Sequence, residues 1–226
     1  MFRYGSQKNF LRRLIPVDKK SATIASHLLS KSNAIHIMVT VEKLVEGLRG
    51  ISNEGFTCEG IYQYLGENPV DVDSILPYQF WSQNCYTRNL IYKDERFEVM
   101  AICWEKGQIS RVHDHSEQKC WMMVPVGRLR GQNFAVVEID TSRSFCSLRE
   151  TSSFDLSDCL AATVELDEPI HQILNLPEFD ERAVSIHIYS KPYDRCRSFC
   201  RETDTFKEVE LFYTSIGGKL CDGIVL

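Results

Sequence analysis

Residues 107–127, GQISRVHDHSEQKCWMMVPVG, carry the pattern from which the rest of the chain is read. His113 and His115 stand one residue apart. In an extended strand alternate side chains leave on the same face, so a strand over 111–115 aims both imidazoles at one point. Gly107 and Gly127 bracket the stretch where turns are needed, and Cys120 follows five residues after His115. A bare His-x-His occurs by chance on many strands. It becomes half of a metal site only if another part of the chain brings a further ligand.

The chain of 226 residues is long enough for one domain with a substantial core. A net charge of −5 and a pI near 5.7 argue against a general nucleic-acid binder. No run approaches the roughly 18 apolar residues of a membrane helix, so no membrane partner is expected. Residues 1–34 are locally basic, with Arg3, Lys8, Arg12, Arg13, Lys19 and Lys20 against Asp18, and lack the apolar centre of a secretory leader. They read as an N-terminal extension, with helical turns over 22–29. Nine cysteines without such a leader point to a reducing, cytoplasmic setting with free thiols. No Cys-x-x-Cys occurs. Cys196 and Cys200 share a face only if that segment is helical, and most of the nine read as small apolar fillers.

Working outward, Val41, Leu44, Val45 and Leu48 recur at helical spacing and predict a helix over 41–48, with Gly50 as its stop. A second short helix fits 58–65, followed by a loop, GENPVDVDS. After Pro77 the pattern becomes short β-prone runs: 88–92, 97–104, 111–115, 120–126, 134–139, 144–148, 162–166, 172–174, 183–190 and 206–213. Strands at this spacing with no helices between them predict a mainly β fold, a barrel or jelly-roll-like sandwich, with a small helical N-terminal portion. The expected organisation is an extension over 1–34 and a single domain over 35–226, acting as a monomer.

A chemically active iron or zinc site needs three protein ligands and open positions. Four histidines remain beyond the pair. His27 and His36 belong to the helical part, which leaves His171 and His187 as candidates. In AVSIHIYS, Val184, Ile186 and Ile188 fall on one face, and Ser185, His187 and Tyr189 on the other. Such alternation ordinarily marks a solvent face; if that face lines a cavity instead, the row positions the Tyr189 phenol. Asp114 has the wrong parity and Glu117 falls in a turn, so no carboxylate joins the histidines. Three neutral imidazoles leave a divalent charge uncompensated and favour an anionic ligand such as a thiolate. Arg88 offers a planar fork suited to a carboxylate, although a surface arginine is the commoner meaning of such a residue.

The spacing Gly107-x5-His113-x-His115-x4-Cys120-x6-Gly127 resembles the first conserved motif of the cupin superfamily, with Cys120 where most members carry glutamate. His171-x3-Asn175 resembles the close of the second motif, without its usual preceding glycines. Cysteine in place of that glutamate is typical of the cysteine dioxygenases. Tyr86-Thr87-Arg88-Asn89-Leu90, Cys103-Trp104, residues 183–190 and Pro192-Tyr193-Asp194-Arg195-Cys196 are similar to stretches of that family in the same order. The similarity spans about 86–212.

What the resemblance implies can be stated residue by residue. His113, His115 and His171 would bind one Fe(II). Arg88, helped by Tyr86, would hold the substrate carboxylate, with Cys196 near the pocket. Tyr189 would stand beside the metal, oriented by Ser185 and His187, and Cys120 would form a thioether with it. The implied reaction is oxidation of L-cysteine by O2 to cysteine sulfinic acid, with thiolate and amine on the iron. Three alternatives remain: a dioxygenase for another small thiol acid such as 3-mercaptopropionate, which relatives with glutamine in place of Arg88 tend to use; a non-catalytic metal-binding cupin; and a closed His/Cys zinc site with Cys120 as ligand. One departure stands out. Family members often have two prolines after the catalytic strand, whereas here Lys191 precedes Pro192, so the cis bond expected there is not favoured at Ser190–Lys191.

Overall fold

A computed structural model of the protein describes residues 38–159, 161–164 and 169–226. The extension, the turns expected over 22–29, His27 and His36 lie outside the described residues.

Two helices come first. Helix α1 (Val41–Gly50) starts at Thr40, whose side chain accepts a hydrogen bond from the backbone of Lys43. Helix α2 (Cys58–Glu67) starts at Thr57, which caps Gly60 in the same way. Each cap satisfies a backbone donor that the first turn leaves unpaired. The expected apolar stripe of α1 is buried: Val41, Leu44, Val45 and Leu48. Part of the expected loop after α2 is instead a 3-10 turn over Val72–Tyr78, started by the Asp71 side chain accepting from the backbone of Asp73.

The strands follow in order: β1 (Thr87–Lys93), β2 (Glu98–Trp104), β3 (Val112–His113), β4 (Lys119–Val126), β5 (Leu129–Asp140) and β6 (Phe145–Leu156). Then come β7 (Ala161–Val164), β8 (Ile170–Leu174), β9 (Ala183–Ser190), β10 (Arg195–Cys200), β11 (Thr205–Glu210), β12 (Ser215–Ile216) and β13 (Lys219–Leu220). One sheet runs β13-β12-β1-β2-β9-β4-β7, and a closed set runs β10-β11-β6-β5-β8-β3. The mainly β expectation holds, and the fold is of the cupin type.

The seven-stranded sheet is buried on both faces along its central strands, β2, β9 and β4. Its outer face, with Val99, Ala101, Cys103, Trp121, Met123, Val184, Ile186 and Ile188, shares one core cluster with α1 and α2. Its inner face, with Met100, Ile102, Trp104, Cys120, Met122 and Tyr189, shares another with Leu129, Leu156 and Ile173 of the opposite strands. The Trp121 indole N–H donates to the Cys58 carbonyl and fixes α2 against the sheet. The polar row of β9 is therefore not a solvent face, contrary to what its alternation ordinarily signifies. The reason is tertiary: helices cover the apolar side, so the polar side is the one turned to the interior.

Several strands differ from expectation. β5 and β6 form a long hairpin around the 3-10 turn Thr141–Arg143, reaching well past the expected 134–139 and 144–148. Backbone pairing from Leu129↔Leu156 to Asp140↔Phe145 maintains it although many of its side chains are exposed, so apolar alternation is weak there. β10 was not among the expected strands. Its RCRSFC segment is extended and paired with β11, so Cys196 and Cys200 do not share a helical face. β11 ends at Glu210, short of the expected 213, and β12 and β13 follow it. The Ser190–Lys191 peptide is cis despite the missing proline; there the Lys191 N–H donates to Gln118 Oε1 at 2.6 Å.

Candidate metal centre

The His-x-His stretch is only partly a strand. β3 stops at His113, and Ser116 and Glu117 follow at φ 50° and 64°, which turns the chain out of the ladder. The expected strand over 111–115 is therefore cut short, because β3 has partners at only two positions on β10 and one on β8. The histidines converge all the same. His113 lies opposite His171 of β8 in register. Ring centroids are 5.3 Å apart for His113–His115 and 4.7 Å for both His113–His171 and His115–His171. One nitrogen from each of the three falls within 4.8 Å of the others.

The surroundings fit a metal ion. His113 Nδ1 lies 2.8 Å from the Arg111 carbonyl, which accepts the Nδ1 proton and leaves Nε2 as a lone-pair donor. Both ring nitrogens of His115 are buried without a hydrogen-bond partner. A buried polar group left so is costly unless a ligand satisfies it. Burial first, and the neighbouring histidines second, hold the His115 and His171 pKa values well below the usual histidine value. The rings are thus neutral, as ligation requires. Asp114 does not join them. Its carboxylate is engaged by Arg197, whose backbone N–H and Nε each donate at 2.9 Å.

Beside the histidines runs a chain of hydrogen bonds along the inner face of β9. The Trp104 indole donates to Ser185 Oγ at 3.0 Å, Ser185 Oγ lies 2.9 Å from His187 Nε2, and His187 Nδ1 lies 3.0 Å from the Tyr189 hydroxyl. The proton directions follow from what each group can do. Ser185 already accepts from an indole, so its own buried proton is satisfied only by donation to Nε2. His187 then carries its proton on Nδ1 and donates to the phenol oxygen. Burial depresses the His187 pKa to about 3, which keeps the ring neutral. Burial, reinforced by Cys120, pushes the Tyr189 pKa well above the usual phenol value. Tyr189 is therefore a neutral phenol that accepts from His187 and lines the pocket.

Cys120 lies directly across from Tyr189 in the β4–β9 register, a pairing that brings side chains about 4.5–5.5 Å apart at Cβ. It is buried, its thiol pKa is raised by that burial, and a hydrogen bond with Tyr189 opposes the shift. Cys120 is not among the three clustered ligands. Gly127, at φ 70°, ends the stretch; a Cβ there would lie 2.3 Å from the Arg182 carbonyl oxygen.

The pocket over the histidines has a volume of roughly 300 Å3. Arg88 reaches it from β1, and Tyr86, stacked on Trp104 at 4.5 Å, forms part of its wall. Arg88 Nη1 is buried with no partner, and its Nε donates to Met100 Sδ at 3.4 Å. Cys196 lines the same pocket, its thiol pushed up to about 11 by burial. All ten residues singled out from the sequence, Tyr86, Arg88, His113, His115, Cys120, His171, Ser185, His187, Tyr189 and Cys196, are thus gathered around one pocket or the core beside it.

The structure adds residues that sequence reading passed over. Tyr193 sets its ring edge-on to Tyr189 at 5.2 Å and lines the pocket. Glu98, wholly buried on the inner face of β2, accepts from the Tyr213 hydroxyl at 2.5 Å. A lone carboxylate inside the apolar run FEVMAICW was the available signal for Glu98; Tyr193 lay in a stretch similar to the family but carried no role of its own, and nothing in the sequence distinguished Tyr213.

Comparison with known proteins agrees with this geometry. The family model described as cysteine dioxygenase type I matches residues 67–202. Cysteine dioxygenase type 1 of Bos taurus is 30% identical over 63% of this chain and 70% of its own length. The Homo sapiens protein of the same name is 29% identical over 61% of this chain and 67% of its own. The Danio rerio protein is 24% identical over 80% and 89%. Among the described residues no helix is long and apolar enough to cross a membrane.

Proposed function

Since the chain belongs to the cysteine dioxygenase type I family and is a thiol dioxygenase, we propose that it oxidises L-cysteine with O2 to cysteine sulfinic acid, using Fe(II) held by His113, His115 and His171. The observation that carries this reading is the placing of three neutral imidazoles, an unpartnered arginine nitrogen and a neutral phenol around one pocket. Iron bound there would supply the redox chemistry that joins O2 to sulfur.

The protein's own part is positioning and proton placement. Arg88 Nη1 takes one oxygen of the substrate carboxylate in a charge-assisted hydrogen bond, and Tyr86 closes that side of the pocket. This fixes the distance from carboxylate to sulfur, so a thiol acid of the right length presents its sulfur to the histidine cluster. A thiolate also supplies negative charge that no carboxylate at the cluster provides. The Tyr189 hydroxyl, accepting from His187, donates its proton toward the reacting atoms. A thioether between Cys120 and Tyr189 would fix the ring in this position; their opposed register supports that reading. Water is kept from the inner half of the pocket by Trp104, Ile102 and Ile173. The reading places the enzyme in the cytoplasm, a reducing setting that suits its free cysteines.

O2 uptake by the iron-loaded protein tests this. L-cysteine should support uptake with a higher kcat/KM than 3-mercaptopropionate, and Arg88→Ala should raise the KM for L-cysteine at least about tenfold. No uptake with either thiol sinks the dioxygenase reading. Preference for 3-mercaptopropionate sinks the substrate assignment.

A further inference from the structure

We infer that Tyr213 and Glu98 are positioning residues that keep the Arg88 guanidinium fixed and unengaged, ready for a carboxylate. The inference rests on the reading of Arg88 as the carboxylate anchor and concerns how that anchor is held.

Arg88 is clamped from two directions. Its backbone is tied to the segment after β11, for the Thr214 N–H donates to the Arg88 carbonyl at 2.7 Å and the Arg88 N–H donates to Thr214 Oγ1 at 3.1 Å. Its guanidinium lies over the ring of the preceding residue, Tyr213, with Cζ 5.9 Å from the centroid. That ring is pinned in turn. The Tyr213 hydroxyl donates to Glu98 Oε2 at 2.5 Å and accepts from Lys93 Nζ at 3.0 Å. Lys93 and Glu98 are register partners on β1 and β2, with Nζ 3.8 Å from Oε2.

The arrangement answers a question that the pocket raises. Glu98 and Met100 both point inward from β2, and Met100 Sδ accepts from Arg88 Nε. A wholly buried carboxylate near a pocket arginine would be expected to pair with it directly and consume the anchor. Here one oxygen of Glu98 is occupied by Tyr213 and Lys93, while Glu98 Oε1 and Arg88 Nη1 both remain without partners. The tyrosine thus stands between the two charges. It offers its ring face to the guanidinium and its hydroxyl to the carboxylate. Glu98 contributes attraction across the site without closing an ion pair on Arg88, and this leaves Nη1 for the substrate. Consistent with a carboxylate held in the interior, burial pushes the Glu98 pKa up, while the Tyr213 hydrogen bond, Lys93 and Arg88 oppose that shift.

The test is a double-mutant cycle on iron-loaded protein, with metal content and thermal unfolding measured for each variant. Tyr213→Phe keeps the ring and removes the pin. It should raise the KM for L-cysteine about fivefold, the size of one displaced hydrogen bond, with kcat held within about twofold. Glu98→Leu, which removes the acceptor, should raise KM in the same direction. In an Arg88→Ala background Tyr213→Phe should have no further effect on KM, because it acts through Arg88. A Tyr213→Phe enzyme with wild-type KM overturns the inference, as does one whose effect adds in full to that of Arg88→Ala. If Glu98→Leu does not fold, the Tyr213→Phe cycle decides alone. Should Arg88→Ala itself leave KM unchanged, the anchor assignment fails, an outcome distinguishable from failure of the clamp.

Discussion

Val184, Ile186 and Ile188 face one way from β9, and Ser185, His187 and Tyr189 face the other. All six are buried, with exposures between 0 and 4%. The outer three pack beneath α1 and α2 and need no orientation beyond fit. The inner three are polar, and each is joined to the next in a run that begins at Trp104. Burial is thus shared by the two faces, and what differs is the cost of a missing partner. An apolar side chain out of place loses contact area; a buried hydroxyl or imidazole out of place loses its hydrogen bond and keeps its desolvation penalty. One face therefore carries stability, and the other carries geometry.

That division can be broken by exchange of effects. Ile186→Ala on the outer face should cost about 2–5 kcal/mol of unfolding free energy, while the folded fraction keeps its KM and kcat. Tyr189→Phe on the inner face should lower kcat about tenfold or more while costing less stability, about 1 kcal/mol for the His187 Nδ1–H left without its acceptor. Denaturant titration and steady-state rates on both variants decide it. Equal losses of stability and turnover from both would dissolve the distinction.

A smaller effect sharpens the comparison through pH. His187 has a folded-state pKa near 3 because burial disfavours its cation, against 6.5 for an unperturbed histidine. Between these values the unfolded chain holds a proton that the native chain does not. Stability should therefore fall as pH drops from about 6.5 toward 3, by up to about 1.4 kcal/mol per pH unit for this one group. In metal-free protein, His187→Gln should flatten the slope over that window by about that amount. An unchanged slope would mean that His187 is not held neutral by the fold.

How legible this was in the sequence depended on the kind of information each residue carries. His113 and His115 were readable from their spacing, and the scarcity of histidines narrowed the third ligand to His171 or His187, between which only the family resemblance chose. The parity of β9 was also correct, since a period of two is a local property. That the polar face is buried was not readable, because the answer depends on α1 and α2 covering the apolar face. β10 and the outer half of the β5–β6 hairpin escaped for a related reason. Their pairing is set by backbone hydrogen bonds, and their exposed side chains leave little apolar alternation. Glu98, Tyr193 and Tyr213 belong to the site through contacts between residues distant in sequence, such as Tyr213 with Glu98. Composition offered only the oddity of a carboxylate in an apolar strand.

The claim that the inner face of β9, with Arg88 and the three histidines, serves oxygenation of a thiol is tested most directly by isotope labelling. Iron-loaded protein is supplied with L-cysteine and heavy-isotope O2, and the product is examined by mass spectrometry. The account predicts cysteine sulfinic acid with both sulfinate oxygens carrying the label. A product with one labelled oxygen or none, or with cystine alone, would contradict it.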